Sequence, residues 1–200
     1  MASARASLSR ARGVRGGFTL IELLVTITVL GIAGALVIPS MTQTGALRVQ
    51  AAVRTLVADI TFVQADAIAF QSRRAIWFGM VPQKNADSGA WEFVEGNGYT
   101  VAEVNGPELD LTTDAMIDPD DQVSPFGRNF AVGNFGQAVI ESPSFNSESL
   151  LIFDELGGPV ENLTGPEAGE GGSVQIVSPV AEFTITVAPI TGRVGVSRAD

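Results

Sequence analysis

The sequence predicts an α+β chain: a long N-terminal helix, membrane-spanning in its first half and amphipathic in its second, packed on antiparallel β-sheets. Three observations predict it. Residues 18–38 form one apolar run, FTLIELLVTITVLGIAGALVI, interrupted by a single charge, Glu22. A stripe of apolar residues at helical spacing follows it, and from Arg73 onward the pattern turns strand-like. With 200 residues, of which 46% are hydrophobic, the chain has material for one core beyond the apolar head. Its 22 glycines and 10 prolines are too few for a collagenous or low-complexity chain.

The first 17 residues hold Arg5, Arg10, Arg12 and Arg15 and no acid. Removing those four from the 12 basic residues leaves 8 against 22 acidic ones, a net of −14 on the remainder. A short basic head before an acidic body has the character of a targeting segment that stays in the cytoplasm. As a helix, the 21 residues of the apolar run would extend about 31 Å, the thickness of a bilayer core. Its thirteen Leu, Ile, Val and Phe residues contribute on the order of −4 to −8 kcal/mol to insertion. A carboxylate costs about 2.5–3.5 kcal/mol at mid-bilayer and less near the end where Glu22 lies. Insertion is therefore favoured, with the arginine flank inside and the body across the membrane. The same features fit a secretory signal cut after Ala35 in Ala33-Gly34-Ala35, although such a segment rarely carries a glutamate and is usually shorter. An acid inside a membrane segment calls for a partner.

Gly16-Gly17-Phe18-Thr19-Leu20-Ile21-Glu22 resembles the prepilin processing motif of type IV pilins and type II secretion pseudopilins. The resemblance implies cleavage between Gly17 and Phe18 by a prepilin peptidase, which also methylates the new amine. It places residues 1–17 in a cleaved leader, residues 18–38 in a membrane and filament-core helix, and residues 39–200 in an amphipathic helix plus a globular sheet domain. It also supplies a partner for Glu22: the cationic amine of Phe18 in a neighbouring subunit. An ion pair in an apolar core gives register more readily than net stability.

Pro39 follows the apolar run, and a proline in a helical pattern bends or ends it. Val53, Leu56, Ile60, Val63, Ala67 and Phe70 then recur at intervals of three and four, on one helical face. Arg54, Asp59, Gln64, Asp66 and Gln71 fall largely opposite. One helix is expected from about Phe18 to about Ser72, bent near Pro39 and weakened around Gly45.

Beyond it, strands are expected over 75–81, 91–94, 99–102, 130–132, 138–140, 150–153, 173–177, 182–187 and 193–196. Turns are expected at 85–89 and at Glu95-Gly96-Asn97-Gly98. Residues 188–192 have a length suited to a hairpin. Leu151 to Gly157 and Ile185 to Val194 resemble the globular region of the GspH/FimT family, minor pseudopilins and minor pilins with two sheets behind the helix. The resemblance covers most of Gly16 to Val196, leaving 105–128 and 141–149 without counterpart.

With no Cys and no His, disulfides, thiolate zinc sites, Ser-His triads and His general bases are all excluded. No P-loop, GxGxxG or Gly-x-Ser-x-Gly pattern occurs, so no enzyme and no cofactor are expected. Asp114, Asp118, Asp120 and Asp121 form the densest acidic cluster; calcium favours such oxygen-rich loops, but the spacing is not that of an EF-hand, and a solvated loop is expected. Asn162-Leu163-Thr164 matches a glycosylation sequon that also arises often by chance. Some FimT-like pilins bind DNA through a C-terminal Gly-Arg-x-Arg. Here Gly192-Arg193-Val194 is followed by Gly195, and the body is acidic, so no nucleic-acid partner is expected. The resemblance implies as partners the peptidase and other pilins in a helical filament. It implies a single pass of the bacterial inner membrane before assembly, with the domain in the periplasm. The function expected is that of a minor pseudopilin or minor pilin, a structural subunit of a type II secretion pseudopilus or a type IV pilus for protein secretion; a FimT-like minor pilin in DNA uptake and a secreted binding domain with a conventional signal peptide are the alternatives.

Overall fold

A computed structural model describes residues 17–199 apart from Asn134 and Gly136, with the side chains of residues 35–44 and Ala46 outside the description. Helical hydrogen bonding runs from Leu20 to Phe70 as α1. The chain divides into two compact units, Met1–Met41 and Thr42–Asp200, with α1 belonging to both.

In the first unit, α1 starts at Leu20, one residue after Thr19, and the large apolar side chains from Phe18 to Ile32 are exposed. Among the described residues no helix is long and apolar enough to cross a membrane. The described side chains of this segment end at Gly34, and the last four residues of the apolar run, 35–38, lie beyond them. The span expected over 18–38 therefore falls only in part among the described residues. The bend expected at Pro39 falls among residues whose side chains lie outside them.

In the second unit, α1 buries Val49, Ala52, Val53, Leu56, Ile60, Val63 and Ala67. This is the predicted stripe extended one turn toward the N-terminus and shortened at its other end, since Phe70 stays 70% exposed. The helix closes just beyond Phe70: Gln71 takes a left-handed φ of 51°, and the Ser72 N–H reaches back to the Ala67 carbonyl at 3.2 Å. That is a Schellman closure with a non-glycine residue in the left-handed position.

Two antiparallel sheets share this core. The first has the order β3-β2-β1-β5-β6, with β1 Arg74–Lys84, β2 Trp91–Glu103, β3 Gly127–Asn129, β5 Leu150–Phe153 and β6 Pro159–Val160. The second has the order β4-β7-β8-β9, with β4 Val139–Phe145, β7 Gly172–Ser178, β8 Ala181–Val187 and β9 Val194–Arg198. A short helix, α2 Leu111–Asp114, capped by Asp110, lies between β2 and β3. Ile76, Phe78, Tyr99, Val101, Leu151 and Phe153 of the first sheet join Val174, Ile176, Ile185 and Val187 of the second around the helix stripe. Alternate residues of each strand enter the core, as a period of two requires.

Two sequence expectations are corrected. Glu95–Gly98 is not a turn: it lies inside β2, which continues from Trp91 to Glu103. Its glycines serve close approach. A Cβ on Gly96 would lie 2.7 Å from a Val81 methyl, and one on Gly98 would lie 1.9 Å from the Arg128 carbonyl oxygen. The strand expected over 130–132 is instead a turn after β3. There the Asn129 side chain accepts the Ala131 N–H at 2.9 Å, and the strand pairing passes to residues 127–129. The strand expected over 138–140 runs on to Phe145 through Pro143, which an edge strand with a register shift between Glu141 and Ser144 tolerates.

Candidate functional site

The residues predicted to be processed and paired lie together at the start of α1. Gly17 is exposed and precedes the helix. Among the described residues a Cβ added to it would meet nothing within 4 Å, and its φ is not positive. Nothing in the fold asks for glycine there. Phe18 is 78% exposed. Thr19 and Glu22 form a capping box: the Glu22 N–H donates to Thr19 Oγ1 at 3.3 Å, and the Thr19 N–H donates to Glu22 Oε2 at 3.5 Å. The Leu23 N–H to Thr19 carbonyl bond, 3.2 Å, closes the first turn. The threonine and glutamate of the motif thus have a local role that the sequence reading did not assign, legible as T-x-x-E before an apolar run.

Both bonds of the box, at 3.3 and 3.5 Å, are longer than the usual 2.7–3.2 Å. Among the described residues the Glu22 carboxylate accepts only the one at 3.5 Å, so it retains acceptor capacity for a second partner. The other described polar side chains between Leu20 and Gly34 are closed internally. Thr26 Oγ1 donates to the Glu22 and Leu23 carbonyls at 3.0 and 2.8 Å, and Thr28 Oγ1 to those of Leu24 and Val25 at the same distances. From Leu20 to Gly34 the helix so arranged offers apolar surroundings no unpaired hydroxyl and carries Glu22 as its one charge. Pro39, the other residue assigned to assembly, lies within the helical run, with its side chain outside the described residues.

A second polar constellation, which sequence reasoning missed, ties the helix to the first sheet. Asp59, expected on the solvent face, is 9% exposed. Register pairs Tyr99 of β2 directly with Arg128 of β3, and both reach Asp59. The Tyr99 hydroxyl donates to Asp59 Oδ2 at 2.7 Å, and Arg128 Nε donates to the same oxygen at 3.1 Å. Arg128 Nη1 also bonds Asp118 Oδ2, and Nη2 lies 3.6 Å from Asp120. Burial raises the Asp59 carboxyl above its ordinary range, against the opposing pull of Tyr99 and Arg128. Burial, and the neighbouring Asp59 charge, push the Tyr99 phenol up. Asp66, also expected in solvent, bonds Arg74 Nε at 2.5 Å.

The same network disposes of the acidic cluster. Asp118 is buried against Arg128 rather than solvated. Asp114 accepts from Asn105 and from the Asp110 backbone, and Asp121 accepts from Val123 and Ser124, which holds both carboxyls below their ordinary range. Their oxygens are held by different partners, and among the described residues no group of three or more acidic side chains could hold a metal ion.

The two stretches carrying the GspH/FimT resemblance meet at one helix residue. Gln64 Nε2 donates to the Gly157 carbonyl at 2.7 Å and to the Thr191 carbonyl at 3.0 Å. Gly157 and Gly192 both have positive φ, 82° and 62°. Side chains there would strike Ile68 and Gln64 respectively, so these two glycines are fixed by the fold.

Residues 12–38 match the family described as Prokaryotic N-terminal methylation motif. The match includes Gly17, Phe18 and Glu22 and ends at Ile38, before the globular body. The chain therefore carries a type IV pilin-like prepilin signal. No curated protein and no solved structure matches the chain.

Proposed function

From the methylation motif at residues 12–38 we propose that the protein is a minor pseudopilin or minor pilin of the GspH/FimT type. It is a structural subunit of a type II secretion pseudopilus or a type IV pilus, not an enzyme. The apolar helix from Phe18 to Ile38 holds the precursor in the inner membrane, with the arginine-bearing leader inside and the sheet domain outside. Prepilin peptidase cuts between Gly17 and Phe18 and methylates the new amine, and the helix then enters a filament core beside those of other subunits. Filaments of this kind grow from heterologous contacts that do not close.

The observation that carries this reading is the motif together with the state of its residues. Gly17 has no structural reason to be glycine, which fits selection by an external protease. Cleavage leaves a cationic amine one residue before the positive end of a helix, where it is unfavourable. Glu22, exposed and holding one long bond, can neutralise the amine of a neighbour in an apolar core and so fix axial register. The positive-φ glycines and Gln64 support the finer assignment, since they explain why the two resembling stretches contain glycine where they do.

Intact mass and terminal sequencing of the mature protein from its native host tests the proposal. A chain beginning at Phe18 with one added methyl group supports it. A chain beginning at Leu36 would mean a conventionally secreted domain and leave Glu22 without a role. Glu22→Ala is expected to mature and insert but to enter filaments poorly, read as the sheared filament fraction against wild type.

A further inference from the structure

The second sheet ends in β9, which in the sheet order has a neighbour on one side only. The Ala188 N–H bonds the Arg193 carbonyl at 2.9 Å and the Ala199 N–H bonds the Glu182 carbonyl at 3.1 Å, so residues 193 and 199 face β8. By the alternation of an antiparallel ladder, Gly195 and Ser197 face β8 as well, and Val194, Val196 and Arg198 turn their N–H and C=O groups to the open side.

The side chains of those three residues share a face. Register sets Val194 opposite Val187, Val196 opposite Ile185 and Arg198 opposite Phe183. Val187 and Ile185 enter the core, so this is the face turned to α1. Where the strand leaves the core, a groove of about 400 Å³ opens between Val53, Arg54 and Val57 of the helix and Phe183 and Val196 of the sheet. Val196 is 50% exposed at its edge.

Charge adds to the character of this edge, on a body that is acidic as a whole. Arg73, Arg74 and Arg128 are paired with carboxylates, and Lys84 lies over the Trp91 ring. Among the described residues Arg48, Arg54, Arg193 and Arg198 make no ion pair, and two of them flank the groove, Arg54 lining it and Arg198 two positions along the strand from Val196 on the same face.

We propose that β9 and this groove form a docking edge for an extended segment of a partner protein in which apolar residues alternate with carboxylates. The backbone of the segment would pair with Val194, Val196 and Arg198. Its apolar side chains would enter the groove, and its carboxylates would meet Arg54 and Arg198. The inference rests on the edge of the body and does not require the filament reading.

The test uses the full chain in detergent micelles and a fluorescent peptide of alternating Val and Glu, read by anisotropy. Saturable binding is expected. Val196→Pro, which removes an outward N–H and no bond to β8, and the exposed-site variant Arg54→Glu should each weaken it about tenfold or more. An Arg54→Glu/Arg198→Glu chain should instead prefer the Val/Lys peptide. Circular dichroism confirms that each variant is folded. Binding that ignores both single substitutions, or no saturable binding at all, would overturn the proposal. So would equal displacement by an oligonucleotide, which would make this a phosphate surface. Self-association abolished by Val196→Pro would overturn it in favour of a second copy of the chain.

Discussion

The two units follow opposite rules for the same kinds of residue. In the body, Leu56, Ile60, Tyr99 and Phe153 are fully enclosed, and the buried carboxylate Asp59 has two donors. From Phe18 to Ile32, ten large apolar side chains stand exposed, and the one charge among them holds a single long bond from its own chain. The body's core residues are explained by neighbours within the chain, and the described apolar residues of the head are not. The head's sequence is therefore fitted to surroundings that the chain does not itself provide.

Substitutions that separate the two rules sharpen this contrast, beginning with the largest effect. Gly17→Leu should abolish maturation, leaving full-length precursor on an immunoblot, while the thermal unfolding of the body is unchanged. In the body, Arg128→Met leaves Asp59 and Asp118 buried without a cation and should cost about 3–5 kcal/mol at neutral pH by denaturant titration. The pH dependence has a definite sign. Because the Asp59 carboxyl is raised by burial, its contribution is present at low pH and is lost as pH rises through the folded-state value. Removing the arginine raises that carboxyl further, so the deficit should narrow as pH falls into the carboxylate range; a deficit that widens on acidification would exclude this account. Ile60→Ala should cost about 2–5 kcal/mol through the cavity left in the core, with little dependence on pH. Gly192→Ala should cost on the order of 1–3 kcal/mol, from the positive φ and the collision with Gln64 and the Gly157 carbonyl. Any of these body substitutions that blocked processing of the head would break the separation.

What the sequence made legible follows the range of the interactions. The helix stripe, the C-terminal hairpin and the prepilin motif are set by residues close in the chain, and period or spacing exposes them. Asp59 looked solvated because its partners, Tyr99 and Arg128, lie 40 and 69 residues away. No local pattern announces such a pair. Gly96 and Gly98 looked like a turn because a glycine that admits a neighbouring strand is indistinguishable, one residue at a time, from one that reverses the chain. The capping box at Thr19 and Glu22 was readable and was hidden by the stronger motif that contains it. For the candidate site, spacing located the residues, but the state of Gly17 and Glu22 required coordinates.

The ten exposed apolar side chains also constrain how this molecule can travel. At about 1.5–3 kcal/mol each, wetting all of them costs on the order of 15 kcal/mol or more, which corresponds to a free aqueous population of roughly one molecule in 10¹¹. Under the proposed function, no appreciable pool of the chain would wait in solution between the membrane and the filament core. On that reading, transfer into a filament would have the receiving helices cover these side chains as the bilayer releases them.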